Sequence, residues 1–158
     1  METIEQIRDI ASRVRTAIES IPFDERPCGF VRFPSGACLD AALVLGACFA
    51  NRHVAGFQLV SGNIWSERDA DWCIHAWLSR GDLIVDITAD QFDPKLGSVI
   101  VSARSEWHSQ FETNPPSGSD FRDSDVPGNY DRTEVLMRVE AYLSEASDAK
   151  GMRNEIHW

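Results

Sequence analysis

Residues 37–50 form the stretch that most restricts how this chain can fold. They hold the run Leu39 to Ala50, which is apolar on nearly every side of a helix. Such a helix has no face to present to water, so other elements must enclose it. Its longest apolar part, 41–50, is broken by Gly46 and is far too short to span a bilayer. The sequence therefore predicts one central buried helix.

The segments before and after this helix predict the helices and strands that pack around it. Residues 2–20 place isoleucine, valine and alanine at helical spacing, and Pro22 ends that amphipathic helix. Strands are predicted at 54–60, 72–79, 82–88 and 98–102, and a last helix at 131–146. Residues 61–71 and 105–129 carry the signals of loops. This order predicts an α+β fold, with the buried helix packed on a mostly antiparallel sheet.

Length and charge limit the class of protein. With 158 residues, 43% of them hydrophobic and 25% charged, we expect a single domain over 1–158 with its core at about 33–102. The net charge of −10, without a lysine and arginine cluster, argues against nucleic acid and anionic membranes as partners. The four cysteines form no Cys-x-x-Cys pair and follow no secretory signal, so we expect reduced thiols and a cytoplasmic location. The oligomeric state stays open.

Cys38 stands at the predicted start of the buried helix. Pro34-Ser35-Gly36 breaks the preceding stretch, and Ser35 is the expected N-cap. In the first helical turn the dipole and the free amides favour a thiolate, and the Cys38 N–H is a natural donor to an oxyanion. Taken alone, a free cysteine in such a run is more often a small buried hydrophobe.

His75 and Asp86 lie in the two strands predicted as a hairpin, separated by the turn-like Ser79-Arg80-Gly81-Asp82. Pairing Ser79 with Asp82 places His75 directly opposite Asp86 on one face. The carboxylate can then bind one ring nitrogen and leave the other for Cys38, which is the arrangement that activates a thiol. The alternative is a surface charge pair, which the otherwise apolar strands disfavour.

Four segments together resemble the core of the transglutaminase-like proteins of the papain-like cysteine-enzyme superfamily: Gly36-Ala-Cys38, Gly56-Phe-Gln-Leu-Val60-Ser-Gly62, His75-Ala-Trp77 and Asp86-Ile-Thr88. The resemblance covers about residues 33–92. It implies a papain-like/transglutaminase-like fold with a triad of Cys38, His75 and Asp86. The short gap between the histidine and the aspartate implies a minimal hairpin, and residues 103–158 match nothing in the family. The short leader peptidases of lasso-peptide pathways have a similar Cys…His-Ala-Trp layout.

The expected function is cysteine-dependent acyl transfer or amide hydrolysis on a peptide or protein, through a thioester intermediate. The residues do not separate a peptidase, a deamidase and a transglutaminase. Expected substrate-binding residues are Trp65 in the loop before the His75 strand, Trp77 on the same strand face as His75, and Gln91 as an amide donor after the Asp86 strand. The alternative is a non-catalytic binding module that keeps the same fold.

No metal and no other cofactor is expected. A zinc site built from Cys73 and His75 with Cys38, Cys28 or His108 lacks the paired short intervals of structural zinc. His108 is expected at the surface, with contact to substrate as the alternative, and His53 is expected to be a solvated residue at a helix end. The chain has no glycine-rich phosphate loop and no Gly-x-Ser-x-Gly elbow.

Overall fold

Three helices and an antiparallel sheet of six short strands make up the α+β fold in the computed structural model, which describes residues 1–125 and 127–154, with side chains as far as 147. The helices are α1 (Ile4–Glu19), α2 (Cys38–Asn51) and α3 (Asn129–Asn154). The strands are β1 (Gln58–Ser66), β2 (Asp71–Arg80), β3 (Leu83–Asp86), β4 (Ile100–Ser102), β5 (Glu112–Thr113) and β6 (Ser117–Gly118). Within these residues, no helix combines the length and apolar character needed to cross a membrane.

Helix α2 is the central element. Its residues 41–49 are all buried, because α1, α3 and the sheet enclose it, so the predicted buried helix is confirmed. It begins at Cys38, but its N-cap is Ala37, which makes no side-chain capping bond. The prediction of Ser35 as the cap is wrong. The Ser35 amide donates instead to Arg32 O at 2.8 Å in an earlier turn, and Ser35 lies two residues before the actual N-cap, Ala37.

The sheet is antiparallel throughout, in the order β4-β3-β2-β1-β5, with β6 also paired to β1. The predicted strand at 54–60 and loop at 61–71 are wrong, since β1 runs as far as Ser66 and only residues 67–70 form the turn. Gly62, a loop-type residue, is held in β1 by pairing with β2 on one side and β5 on the other. A Cβ atom there would approach Glu112 O to 2.7 Å, so the close strand approach requires glycine.

The β2–β3 hairpin differs from the predicted register by two residues. Arg80 pairs with Leu83 across the turn Gly81–Asp82, and the described ladder ends at Leu78–Val85. Direct opposition of His75 and Asp86 is therefore wrong. Gly81 has a φ of 59°, which glycine adopts without strain in a two-residue turn. A shift of two residues preserves the alternation of faces, so the two side chains still project to the same side.

The two faces of the sheet bury different clusters. Leu78 and Val85 belong to the main core, which also holds the buried faces of the three helices. The other face carries a smaller aromatic cluster of Val60, Trp77 and Phe111, with Trp107 packed against it. Since His75 alternates in phase with Trp77, its ring lies on this second side, in an apolar and largely dry environment.

Arg15 of α1 anchors the segment that follows β3. Its guanidinium binds both carboxylate oxygens of Asp90, at 2.8 and 2.9 Å, and donates to Ile87 O at 2.7 Å. Only 9% of the Arg15 side chain is exposed. A bidentate pair in this setting is geometrically specific, so it fixes residues 87–90 directly after Asp86.

We expect Arg15→Leu to lower the free energy of unfolding by about 3 kcal/mol, because Asp90 and the Ile87 carbonyl then lose a buried donor. Chemical denaturation followed by circular dichroism measures this change. Arg13→Leu in the same helix is the matched control: Arg13 pairs with Asp9 at the surface, and its loss should cost less than about 1 kcal/mol. Equal effects of the two substitutions would contradict the anchoring role of Arg15.

Candidate active site

Cys38 is the first residue of α2 and is partly exposed. The Ala41 amide donates to Ala37 O at 2.8 Å, so the helical ladder starts here, and the preceding amides of the first turn have no acceptor within the helix. The predicted position of Cys38 in the first turn is confirmed. All four cysteines are free, and they differ in access: Cys28 is exposed, Cys73 is intermediate and Cys48 is buried. Burial raises the pKa of the Cys48 thiol far above its ordinary value.

His75 is fully buried on β2, with 0% of its surface exposed. Its Nε2 lies 2.6 Å from Asp86 Oδ2. Four aromatic rings pack around the imidazole, with centroid distances of 5.0–6.0 Å: Phe92, Trp107, Trp77 and Phe111. These rings exclude water, and exclusion of water strengthens each polar interaction of the imidazole.

Asp86 ends β3 and is 2% exposed. Its Oδ1 accepts the Thr88 amide at 2.9 Å, and its Oδ2 lies 2.7 Å from Nε2 of His108 as well as 2.6 Å from His75. Burial alone would raise the pKa of this carboxyl, but the hydrogen bonds from His108 and His75 outweigh it and lower the pKa to about 2. The carboxylate is therefore ionised and can only accept, so both histidines carry a proton on Nε2.

That proton leaves Nδ1 of His75 as the nitrogen available to a thiol. Burial opposes the charged imidazolium, yet the hydrogen bond to Asp86 and the interaction with Cys38 outweigh it and raise the pKa of His75 to about 9. Among the described residues, Nδ1 nevertheless has no well-formed hydrogen bond. Cys38 therefore interacts with the ring without a well-formed hydrogen bond to Nδ1.

His108 is the member of this cluster that the sequence prediction missed. It is 2% exposed, within the 3₁₀ turn His108–Gln110, so the expectation of a surface residue is wrong. Trp77 and Trp107 each pack on its ring at 4.8 Å. A signal was present in the sequence: the residue is flanked by Trp107 and Phe111, which indicates an apolar environment rather than a solvated loop.

The three predicted substrate residues occupy different positions. Trp65 is 47% exposed and lines a cavity of about 250 Å³ together with Gln91, Phe92 and Trp107. Phe92 and Trp107 also pack on the His75 ring, so these two side chains separate the cavity from the buried imidazole. Trp77 is 3% exposed and packs on both histidines, so it shields the imidazole, and it also borders a separate cavity of about 500 Å³ next to His108.

Gln91 joins the segments that carry two members of the predicted triad. Its Oε1 accepts the Gly36 amide at 3.2 Å, two residues before Cys38, and its Nε2 donates to Thr88 O at 3.0 Å, two residues after Asp86. The side-chain amide is thereby held in place by the protein itself. Its first role is to position the Cys38 loop against the end of β3.

His75, Asp86 and His108 also form a two-histidine, one-carboxylate set, with potential ligand atoms within 4.8 Å of one another. The distances are those of hydrogen bonds, 2.6 and 2.7 Å. Two ligand atoms on one tetrahedral zinc ion, each at about 2.0–2.1 Å from it, would lie roughly 3.3 Å apart. The set therefore fits a hydrogen-bonded cluster, in which the protons on Nε2 occupy the positions that a metal would need.

Comparisons with protein-family models, with curated proteins and with solved structures find no match to this chain.

Proposed function

We propose that this protein is a cysteine-dependent acyltransferase or amidase that forms a thioester on Cys38, with His75 as its base and acid and Asp86 as the residue that orients His75. A papain-like/transglutaminase-like arrangement is part of the same proposal. One observation carries it: a fully buried imidazole, held at Nε2 by a carboxylate, keeps its Nδ1 without a partner beside a partly exposed thiol at a helix start.

This observation favours chemistry because a polar atom left unpaired in the interior costs roughly 1–3 kcal/mol. A purely structural histidine would have its second nitrogen satisfied or would be replaced by an apolar residue. Here the unpaired Nδ1 belongs to a ring that interacts with Cys38, the first residue of α2. The arrangement has the form of a nucleophile, a base and an orienting group.

In the proposed reaction, Nδ1 of His75 takes the thiol proton of Cys38 or already holds it in a thiolate–imidazolium pair, and the sulfur attacks the carbonyl carbon of the substrate. The carbonyl π electrons move to oxygen, where the Cys38 N–H at the start of α2 stabilises the oxyanion. Collapse of this intermediate breaks the C–N bond as His75 returns the proton to the departing amine. Cys38 then holds the acyl group as a thioester.

Release of the acyl group repeats these steps with water or an amine as the attacking group. His75 takes a proton from that group, the carbonyl carbon gains a new C–O or C–N bond, and the C–S bond breaks. Asp86 remains ionised throughout and stabilises the imidazolium. Because the site needs a reduced thiol, we also propose that the protein works in a reducing compartment.

The substrate we propose is a peptide or protein amide. The cavity next to the aromatic rings that cover His75 combines the apolar walls of Trp65, Phe92 and Trp107 with polar groups of Arg68 and Asp69, which suits an extended chain with mixed side chains. The Trp65 and Trp72 rings meet edge to face at 5.7 Å at the exposed end of the β1–β2 hairpin. Aromatic side chains of this kind provide large contact areas with little loss of conformational freedom.

Selective alkylation of Cys38 tests the proposal. With iodoacetamide at pH 6 and mass mapping of the labelled peptides, we expect Cys38 to react at least about ten times faster than Cys28, although Cys28 is more exposed. Cys48 is buried and should stay unlabelled until the protein is denatured. His75→Gln should bring the rate of Cys38 down to that of Cys28.

A non-catalytic binding module is the second candidate, and the exposed Trp65, Trp72 and Ile74 favour it, since they are 47%, 54% and 68% exposed on one hairpin. The same labelling experiment separates the two functions. A binding module predicts rates ordered by exposure alone, with Cys28 ahead of Cys38. That order would overturn the enzyme proposal.

A further inference from the structure

His108 and Ser105 extend the hydrogen-bonded cluster beyond the proposed triad. Ser105 Oγ lies 2.5 Å from Nδ1 of His108, and the His108 amide donates back to Ser105 Oγ at 3.3 Å. Nε2 of His108 lies 2.7 Å from Asp86 Oδ2, the same oxygen that binds His75. A triad of Cys38, His75 and Asp86 needs neither residue. We call the chain of hydrogen bonds from Ser105 through His108 to Asp86 the second arm, and its presence needs a separate explanation.

The protons in this arm can be assigned from its donors and acceptors. Asp86 is an ionised acceptor, so Nε2 of His108 carries a proton and donates it. The Ser105 hydroxyl then donates to Nδ1 of a neutral His108, while its oxygen accepts the His108 amide. Each polar atom of the His108 ring has one partner, and the ring has one fixed tautomer.

We propose that His108, with its tautomer fixed by Ser105, is a positioning residue that holds the Asp86 carboxylate and limits how strongly that carboxylate binds the His75 proton. This inference rests on the proposed function of His75 as base and acid. A carboxylate oxygen that accepts two N–H groups divides its charge between them. His75 therefore binds its proton less tightly than it would beside an Asp86 that accepted from it alone.

The value of such a residue lies in proton transfer. A general acid works best when its pKa is near the operating pH, because a group that binds its proton too tightly donates it slowly to the leaving amine. With His108 in place, Asp86 holds the His75 proton less tightly than an unshared carboxylate would. Loss of the His108 N–H would tighten that hold and slow the return of the proton to the leaving amine.

Other ionisable groups near this arm are few among the described residues. Asp86 and His75 face His108 from β3 and β2, and Cys38 faces His75 from α2. On its outer side, His108 borders a cavity that is also lined by Asp82, Arg104 and Glu106. Arg15 binds Asp90 and the Ile87 carbonyl, on the segment that directly follows Asp86. None of these three charged side chains hydrogen-bonds the His108 ring, whose only charged hydrogen-bond partner among the described residues is Asp86.

An NMR titration of the histidine rings tests the proposal, and the chain has only four histidines to assign. In the full-length protein, His108→Leu should raise the titration midpoint of His75 by about half a pH unit or more. His108→Gln should return it close to the wild-type value, because the glutamine amide can place an N–H where Nε2 stood. Ser105→Ala should give a smaller rise in the same direction.

A His75 midpoint that stays unchanged in folded His108→Leu and in Ser105→Ala would overturn the proposal and leave His108 as a packing residue. So would a shift in His108→Gln as large as that in His108→Leu, since the N–H would then not be the cause. If His108→Leu does not fold, Ser105→Ala and His108→Gln decide the question. The titration needs no substrate, so its failure differs from failure of the proposed function, which the labelling of Cys38 judges.

Discussion

Asp86→Asn should lower the rate at which Cys38 is acylated by an activated ester, such as p-nitrophenyl acetate, by about 10³-fold or more. The reason is geometric as well as electrostatic. In the wild type, Asp86 accepts from the Thr88 amide on Oδ1 and from two histidines on Oδ2. An asparagine offers one acceptor oxygen and one NH₂ group, so it must turn a donor toward either Thr88 or the histidines.

If the NH₂ group faces His75, the imidazole must give up its Nε2 proton and carry it on Nδ1, where it can no longer act as a base toward Cys38. The loss of negative charge also leaves only the interaction with Cys38 to oppose burial, so the pKa of His75 should fall well below about 9. Stopped-flow acylation and histidine NMR measure the two effects. A near-normal rate would show that Asp86 has a structural role only.

This change also alters stability with a definite pH dependence. The raised pKa of His75 means that its pairing with Asp86 stabilises the fold fully below about pH 6.5 and that this contribution is lost as the pH rises through about 9. The lowered pKa of Asp86 gives a contribution that is present above about pH 3.8 and lost as the pH falls through about 2. The stability gap between wild type and Asp86→Asn should therefore narrow between pH 6.5 and 9.

His75→Gln should reduce acylation of Cys38 by about 10⁴-fold or more while the fold persists. The glutamine amide can keep an N–H directed at Asp86, so the buried carboxylate stays satisfied. It places no titratable nitrogen where Nδ1 stood, so Cys38 loses its base. Pre-steady-state acylation and intact-protein mass measure the loss.

His53→Asn is the matched control for this substitution. His53 is exposed, just past the end of α2, with a φ of 57°, a conformation that asparagine tolerates well. It should acylate at the wild-type rate. The double variant His75→Gln, Asp86→Asn should be no slower than His75→Gln alone, because residues that act as one unit do not lose activity additively. Additive losses would mean that Asp86 supports catalysis by a route other than His75.

The sequence was sufficient for features that depend on the chemistry of single segments. An apolar run without a polar face dictates a central helix, and 41–49 are indeed buried. The predicted hairpin correctly placed His75 and Asp86 on one side of the sheet, although the observed strand register differs from the predicted one by two residues. That error was harmless because the period of a strand is two, and a diagonal neighbour remains within reach of a histidine and an aspartate. Their 2.6 Å contact follows from this reach.

The features that the sequence did not reveal depend on distant partners. Gly62 and Asn63 carry loop signals, and only pairing with β2 and β5 makes them strand. Ser35 is an exception, because a local turn with Arg32 uses its amide and the helix begins only at Cys38. His108 joins Asp86 across 22 residues of chain without regular spacing. No local pattern encodes such a contact; an aromatic neighbourhood around a histidine is the nearest signal.

The site draws its members from the start of α2, the middle of β2, the end of β3 and a turn near residue 108. The β2–β3 hairpin holds only two of these four residues. The site therefore cannot form before the long-range contacts of the fold, and contacts between residues far apart in sequence form slowly. During refolding, helix α2 can exist while Cys38 is still an ordinary thiol. The time after the start of refolding at which Cys38 begins to be alkylated rapidly would therefore report when the long-range contacts of the domain have formed.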